Sequence, residues 1–367
     1  MLRIEFNKKE LSMRHYNIVL HIVAIITTLL IHGCSQPKNS STLYNIELDN
    51  IVNRTISSKE LQLDTSFIQL KFTADTTKFI GTIWDMAFDS DDKLYILEQQ
   101  TSYIYQFDKK SGEYINGLFN IGRGPNEHID ICDIDVDKNR LYLLDNMQNT
   151  ITVYDSLLNR VSDFELPLKT LAFSVINDTL WGRGFSIYNG DIKIYCCNLQ
   201  GQIISEFDDG LNMSNLPFSI SLGYAFTKHN SKIYYTPDFK NTIKQLTKDS
   251  IYSSVNIDFK TYNIHPDDQY KEITESKAAL YRGFILDNHI LFSYHLHNNL
   301  NVCLYNIKDK TSIYGIIEYS KNELPFLIRW QDNNTLIGYH STTSATVYKG
   351  MKLNEGDIVI AFMKKSS

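Results

Sequence analysis

The chain has 367 residues, a formal net charge of −6 at pH 7 and 43% hydrophobic residues, with an isoelectric point of about 5.9. The apolar fraction is sufficient for a folded core, and internal low-complexity tracts are absent. The acidic balance and the lack of a long basic run argue against nucleic acid as a partner.

The N-terminus carries an export signal. Ile18–Ile31 is an apolar stretch of 14 residues that follows Arg14, and it is too short to span a bilayer comfortably. A basic start, a short apolar middle and a small residue before the cleavage point are typical of a secretory signal. The ending Ile31-His32-Gly33-Cys34 resembles a bacterial lipobox, which predicts lipidation of Cys34. An ordinary signal peptide with an incidental cysteine, or an uncleaved anchor, remains the alternative.

The predicted organisation has three parts. Residues 1–33 are predicted to form the signal peptide; a start of translation at Met13 is the alternative, because residues 2–12 do not suit the basic region of a signal. Residues 34–66 comprise the lipidated cysteine and a flexible tether, and residues 67–367 form the folded domain. Because residues 35–41 lack an acidic cluster, we expect a lipid-anchored protein of the cell envelope on the periplasmic side of the outer membrane.

One short pattern occurs six times: a turn rich in Asp and Asn, then a run of β-branched and aromatic residues. The leading apolar residues recur every 39 to 57 residues, and they are Leu94, Leu141, Leu180, Ile233, Ile290 and Leu336. Each copy predicts a hairpin, and a second hairpin follows in most copies. Two hairpins make a four-stranded blade, so the repeat predicts an all-β, six-bladed β-propeller. A β-sandwich with evenly spaced strands is the alternative.

The ring needs one strand from the N-terminal end. In the last copy the strongest strand candidate after Leu336 is Ile358–Met363, and a longer insertion, Ser341–Gly356, separates the two. One outer strand is therefore missing. Phe67–Phe72 precedes the first repeat and is predicted to complete the last blade, which would lock the ring.

The remaining cysteines do not suggest a metal or disulfide framework. Cys196 and Cys197 are adjacent on a predicted strand, so their side chains point to opposite faces. We expect them, with Cys132 and Cys303, to be free and buried.

One loop carries a family resemblance. The run Ile121–Glu127, preceded by Tyr103–Asp108, resembles the six-bladed propeller lipoproteins of Bacteroides-type bacteria, which are relatives of the NHL-repeat propellers. Those proteins usually show Gly-x-Gly-Pro-Gly-Glu here, and this chain has Asn126 in place of the third glycine. The resemblance covers roughly residues 67–365 and implies an envelope lipoprotein. It supplies no catalytic residues.

The same loop predicts a ligand-binding face. Connections between blades share a face with the turns after each second strand, where the candidate ligand-binding residues fall: Arg123, Glu127, His128, Arg183, His295 and His340. Arginine offers a planar fork for carboxylate, phosphate or sugar hydroxyls, and histidine can bind metal or move protons. The structural alternative is that Arg123 and Glu127 pair with each other or cap backbone groups.

Two further groups have competing interpretations. His295 and His297 are predicted on one strand face, where they could supply two metal ligands; a third would have to come from elsewhere, and solvated polar residues are the alternative. Trp84, Arg282 and Trp330 lie on or near predicted innermost strands, where they could line the channel for sugar stacking or simply pack between blades.

Known catalytic motifs are missing. The sequence has no Gly-x-Ser-x-Gly elbow, His-Glu-x-x-His pair, calcium loop or glycine-rich phosphate cradle, and it indicates no particular cofactor. The primary hypothesis is a non-catalytic binding or scaffold lipoprotein that is held at the membrane by its lipid and engages a glycan, peptide or envelope protein. The alternative is a metal-assisted lyase or lactonase, because propellers related through the NHL resemblance include such enzymes.

Overall fold

The computed structural model describes residues 43–72, 78–124, 126–212, 225–265, 268 and 275–365. The predicted signal peptide and Cys34 lie outside the described residues. Within these ranges no helix is long and apolar enough to cross a membrane. Short 3-10 helices occur at Ser58–Leu61 and Lys260–Tyr262.

Strands account for most of the described chain. The first fourteen are β1 (Tyr44–Glu47), β2 (Thr55–Ser57), β3 (Leu63–Gln69), β4 (Ile83–Phe88), β5 (Lys93–Glu98), β6 (Ile104–Asp108), β7 (Tyr114–Leu118), β8 (Ile131–Asp137), β9 (Arg140–Asp145), β10 (Thr150–Tyr154), β11 (Arg160–Glu165), β12 (Lys169–Ile176), β13 (Thr179–Phe185) and β14 (Asp191–Asn198). The others are β15 (Ile203–Asn212), β16 (Phe226–His229), β17 (Lys232–Tyr235), β18 (Thr242–Thr247), β19 (Ser250–Asp258), β20 (Ala279–Ile285), β21 (His289–Leu296), β22 (Asn299–Asn306), β23 (Thr311–Glu318), β24 (Leu327–Asp332), β25 (Thr335–Ser341), β26 (Thr346–Tyr348), β27 (Met351–Leu353) and β28 (Ile358–Lys365).

These strands form the six blades that the repeat predicts. From the innermost strand outwards, blades 1 to 5 are β4–β7, β8–β11, β12–β15, β16–β19 and β20–β23, and blade 6 is β24, β25, β28 and β3. From blade 1 to blade 5, the innermost strand of each blade contacts that of the next. Because neighbouring strands are antiparallel, the turn between the second and third strands lies at the same end as the connection to the next blade. We call this end the loop face. The six-bladed propeller is confirmed.

The predicted closure is confirmed as well. β3 pairs with β28 in an antiparallel register that places Phe67 opposite Ala361 and Ile68 opposite Ile360. The strand begins and ends a few residues earlier than the sequence indicates. It covers the edge that blade 6 would otherwise leave open.

The domain begins before residue 67. β1 lies parallel to β19, and β2 lies parallel to β23, so each adds a fifth strand to its blade. The prediction of a flexible tether up to residue 66 is therefore wrong for residues 43–66, which are folded onto the propeller. We call residues 43–62 the N-terminal strap.

Apolar side chains hold the strap in place. Ile46, Leu48 and Ile51 are 1% exposed and belong to the cluster between blades 4 and 5. Ile56 and Leu61 join the cluster between blades 5 and 6. Their burial explains why this segment is ordered, since each fully buried aliphatic side chain contributes about 1.5–3 kcal/mol.

The core consists of separate clusters between neighbouring blades. Cys196 packs in the cluster between blades 3 and 4, and Cys197 packs in the one between blades 2 and 3. Both are buried and free, as is Cys303. Cys132 is also free, but it is half-buried, whereas we expected it to be buried. The opposite orientation of the adjacent cysteines follows from the alternation of side chains along a strand.

The innermost strands share one irregularity. In five blades the pairing of the first and second strands skips one residue, and these bulged residues are Trp84, Cys132, Leu171, Tyr281 and Arg329. A bulge redirects the side chains beside it. Asp85, Asp133 and Arg282, which follow directly, line the central channel.

Candidate functional site

The loop that carries the family resemblance is held by its own glutamate. The Glu127 carboxylate accepts a hydrogen bond of 2.6 Å from the Gly124 amide, and a Cβ atom at Gly122 would lie 2.1 Å from Glu127 Oε2. Asn126 has φ = 66°, a left-handed conformation that asparagine tolerates better than most residues. Asparagine at this position is therefore compatible with a backbone conformation that glycine would adopt freely.

The other two loop candidates differ in exposure. His128 is 3% exposed; its Nε2 lies 2.8 Å from the Tyr154 hydroxyl, and its Nδ1 lies 3.9 Å from Asp145 Oδ2. Burial lowers the pKa of His128, although Asp145 opposes the shift. Arg123 is exposed, and within the described chain it forms no ion pair with Glu127. Of the three, Arg123 presents its charge to solvent, whereas Glu127 and His128 hold the loop.

Arg183 is a buried structural residue. It is 1% exposed; its Nη2 donates a hydrogen bond of 2.6 Å to Asp238 Oδ2, and its Nε lies 3.9 Å from Asp209 Oδ2. Tyr235 donates a 2.7 Å hydrogen bond to that same Asp209 oxygen. The guanidinium therefore joins blades 3 and 4 and is not presented at the mouth of the channel, where we expected it to meet Arg123 and His340.

The three predicted histidines lie in separate surroundings. His295 is the last residue but one of β21 and packs edge-on against Tyr281, 5.1 Å between ring centroids. His297 lies in the following turn with φ = 50°, beside Tyr262. The prediction that both imidazoles share one strand face is wrong, because the strand ends at Leu296 and the turn redirects His297. His340 Nδ1 lies 3.1 Å from the Pro325 carbonyl oxygen.

A buried pair of carboxyl groups lies at the central channel. Asp85 and Asp133 are 5% and 3% exposed, and both carboxyl groups accept a hydrogen bond from the Ile134 amide, Asp85 Oδ2 at 3.3 Å and Asp133 Oδ1 at 3.1 Å. Burial, followed by the repulsion of Asp85, raises the pKa of Asp133 well above its usual value. Burial also raises the pKa of Asp85, although hydrogen bonds from its neighbours oppose the shift. In such a pair the ionisation of one carboxyl group opposes the ionisation of the other.

The channel carboxylates also tie one blade to the next. The Trp330 indole N–H donates a 2.7 Å hydrogen bond to Asp85, and Asp133 accepts one of 2.8 Å from the Phe173 amide in blade 3. Asp135 accepts hydrogen bonds from the Val175 amide at 2.7 Å and from Lys228 at 2.6 Å. Since innermost strands have an unpaired edge, these side chains satisfy backbone N–H groups that would otherwise lack partners.

The channel has little room for a ligand. Its cavity has a volume of about 70 Å³, enough for a few water molecules. Arg282 and Arg329 line it opposite the carboxylates, and Trp330 joins them, whereas Trp84 donates its N–H to the Cys132 carbonyl instead. Within the described residues no three His, Cys, Asp or Glu side chains are placed to hold a metal ion.

A larger cavity lies at the outer rim, between blades 5 and 6. It has a volume of about 500 Å³, within the usual range for small-molecule sites. Four segments that are distant in sequence form it: the strap with β3, the connection 317–328, the tip of the β26–β27 hairpin and Met363. We call it the rim cleft.

Three aromatic rings form one wall of the rim cleft. The Phe67 ring lies 5.3 Å from Phe326 and 5.2 Å from Tyr348, measured between centroids. His340 packs behind Phe326 at 6.1 Å, so it is the predicted site residue that borders this cleft. The Lys349 ammonium lies 4.5 Å above the Phe67 ring.

Charged and polar groups complete the lining. Glu323 accepts a hydrogen bond of 2.7 Å from the Ser58 hydroxyl and one of 2.9 Å from the Ser320 amide. Asp64 and Lys59 also line the cleft. Sequence reasoning missed this site because none of its four segments carries a recognisable motif; the one local signal was the insertion Ser341–Gly356, which interrupts the repeat.

The family follows from a model that matches most of the chain. A domain of unknown function, DUF4934, matches residues 43–358. The chain belongs to the DUF4934 family. The match begins at the strap, which supports its inclusion in the domain. No curated protein matches the sequence.

Solved structures share the fold at low sequence identity. A proposed exported protein from Bacteroides fragilis is 16% identical with a TM-score of 0.67, covering 89% of this chain and 99% of that one. A DUF4221 family member from Bacteroides vulgatus is 13% identical with a TM-score of 0.50, covering 83% and 99%. Virginiamycin B lyase from Staphylococcus aureus is 12% identical with a TM-score of 0.41, covering 82% and 99%, which is too distant to support an argument about activity.

Proposed function

We propose that this DUF4934 protein is a non-catalytic binding protein of the bacterial cell envelope, and that the rim cleft is its ligand site. The observation that carries the proposal is the cleft itself, a cavity of about 500 Å³ with an aromatic wall and charged groups at its edge. An apolar surface with a few convergent polar groups is the usual arrangement of a ligand site. By contrast, the channel carboxylates are engaged between blades.

A ligand screen with two tryptophan variants tests this site. The purified full-length protein, in mild detergent, is screened against soluble glycans, short peptides and small metabolites. Thr65 lines the cleft, whereas Ser66 next to it on β3 points to the other side and is exposed. Thr65→Trp fills the cleft and should abolish binding of a hit, and Ser66→Trp should leave it unchanged. A hit that binds Thr65→Trp as well as the wild type moves the ligand site elsewhere.

The envelope location rests on the N-terminal sequence. An apolar stretch followed by Gly33-Cys34 supports a lipid anchor at Cys34, and the similarity to a proposed exported protein is consistent with export. We place the protein on the periplasmic side of the outer membrane. Cys34→Ala should release it from membranes or block processing, and labelling by a fatty-acid analogue that persists in Cys34→Ala would contradict the anchor.

A second candidate function is docking of an envelope protein on the loop face. Met147, in the turn of blade 2, is 62% exposed, and Ile187 and Tyr188, in the turn of blade 3, are 72% and 94% exposed. Exposed apolar groups in neighbouring turns favour a protein partner. Ile187→Ser with Tyr188→Ser should reduce co-purification of such a partner, with Val347→Ser, an exposed position on the hairpin, as control. Equal recovery with both variants would reject this surface.

The metal-assisted lyase or lactonase alternative has no specific observation in its favour. His295 and His297 face different aromatic neighbours. Desolvation lowers the pKa of His295, which favours the neutral imidazole that metals bind. Measuring the metal content of the purified protein with and without these two histidines tests the alternative directly.

A further inference from the structure

We propose that the rim cleft binds an organic cation, an ammonium or guanidinium group on a small apolar body, and that the Lys349 side chain occupies that position when no ligand is bound. This inference rests on the proposed function and names the ligand class of the same site.

The first observation is the position of the Lys349 ammonium. It lies 4.5 Å from the centroid of the Phe67 ring and 5.9 Å from that of Tyr348. Both distances fall within the range in which a cation is attracted by the face of an aromatic ring. The protein's own side chain thus shows which kind of group this wall accommodates.

The second observation is the backbone that delivers this side chain. Lys349 lies at the tip of the β26–β27 hairpin, where Tyr348 pairs with Met351, and its φ is 46°. Asparagine or glycine is favoured at such a position, because a longer side chain makes the left-handed conformation less favourable. Tyr348 and Leu353 anchor the hairpin in the cluster between blades 5 and 6, so a ligand would displace only the flexible Lys349 side chain and not the hairpin.

The third observation is the charge of the cleft without Lys349. Without Lys349 the lining carries the charges of Asp64, Glu323 and Lys59, and Lys365 adds a second positive charge on the Asp64 side, where its ammonium donates to the Leu61 carbonyl. Glu323 lies near enough to Tyr348 to add to the effect of burial, which raises the pKa of that hydroxyl. Displacing Lys349 therefore leaves the aromatic wall with the Glu323 carboxylate beside it, a combination that favours a cation.

The test compares choline with its neutral isostere, 3,3-dimethylbutan-1-ol, on the purified full-length protein. Lys349→Asn removes the competing ammonium and suits the left-handed backbone, so the fold should be retained. We expect Lys349→Asn to bind choline about tenfold more tightly than the wild type does, and to prefer choline to the neutral isostere by about tenfold. Lys352→Ala, an exposed lysine of the same hairpin outside the cleft, should bind as the wild type does.

Phe67→Leu in the Lys349→Asn background should remove the preference for choline. Equal binding of choline and its isostere, or no binding of choline by Lys349→Asn, would overturn the inference. If Thr65→Trp still abolished a hit from the screen in that case, the proposed ligand site would stand and only the ligand class would fail. If Thr65→Trp weakened the binding of no hit, the rim cleft would instead be ruled out as the ligand site.

Discussion

Asp133→Asn should stabilise the protein at neutral pH, because burial and the neighbouring Asp85 raise the pKa of Asp133 in the folded state. An unfolded aspartate loses its proton near about pH 3.9. In the folded state, burial and Asp85 raise the pKa of Asp133. Between these two pKa values the folded state binds more protons than the unfolded state. The free energy of unfolding therefore falls as pH rises through this window, by about 1.4 kcal/mol per pH unit for one proton.

Asparagine reproduces the protonated form of Asp133. Its amide can donate to Asp85, and its carbonyl oxygen can accept the hydrogen bond that the Phe173 amide donates to Asp133 at 2.8 Å. We expect a gain in the free energy of unfolding at pH 7, about 1.4 kcal/mol for each unit by which folding raises the pKa, and almost none near pH 4. Urea titrations at several pH values, followed by tryptophan fluorescence, measure it; Trp330 contacts Asp85 and reports on the channel.

Asp135→Asn is the matched control. Asp135 lies two residues further along β8, and Lys228 donates a 2.6 Å hydrogen bond to it. Loss of that charged partner should lower the free energy of unfolding by about 1–3 kcal/mol without the pH-dependent gain. If Asp133→Asn lowered the free energy of unfolding at pH 7, or left its pH dependence unchanged, the inference that folding raises the pKa of Asp133 would be refuted.

Three further predictions concern the residues that hold the ring and its loop. Arg183→Met should lower the free energy of unfolding by about 3–5 kcal/mol, because it leaves buried carboxylates without their partner. Arg123→Met should change it by less than about 0.5 kcal/mol. Thermal unfolding compares the two variants, and similar effects would contradict the structural role of Arg183. Ile46→Ala should lower the free energy of unfolding, measured in urea, by about 2–5 kcal/mol, with a variant of the exposed Glu47, Glu47→Ala, as control. Equal effects of the two variants would mean that the strap does not stabilise the domain. Gly122→Ala should lower the free energy of unfolding by about 1–3 kcal/mol by displacing Glu127. An equal loss of stability when Gly122→Ala is made in a Glu127→Ala background would contradict that contact.

The propeller could be predicted because its signal is local and repeated. A turn rich in Asp and Asn followed by β-branched residues specifies a hairpin wherever it occurs, and repetition fixes the number of blades. The strap carries no such signal. Ile46 lies on β1 and Ile56 on β2, and these strands are parallel additions to β19 and β23, whose paired residues lie 211 and 261 residues further along the chain. Only the packed ring creates the edge on which they fold.

The channel shows a second limit of sequence reasoning. Asp133 and Asp135 alternate along β8, so an acidic stripe on an innermost strand was visible in the sequence. The bulges at Trp84 and Cys132 were not visible in the sequence, and they determine that Asp85 and Asp133 lie close together. The sequence could not show that Arg183, a predicted ligand-binding residue, is buried, for a related reason. Its partners, Asp209 and Asp238, come from β15 and from the segment after β17, and their approach depends on how the blades pack.

The position of the rim cleft has a physical explanation in the closure of the ring. Blades 1 to 3 are built from consecutive strands alone, and the surfaces between them are filled by residues of neighbouring repeats. Blade 6 instead takes its outer strand from the N-terminal end and carries the β26–β27 hairpin as an insertion. The groove between blades 5 and 6 is therefore bounded by the strap, β3 and the hairpin, which are free of the repeat's packing constraints. A cavity with its own chemistry can form there without weakening the other blades, and for that reason we look for the ligand at the rim and not at the central channel.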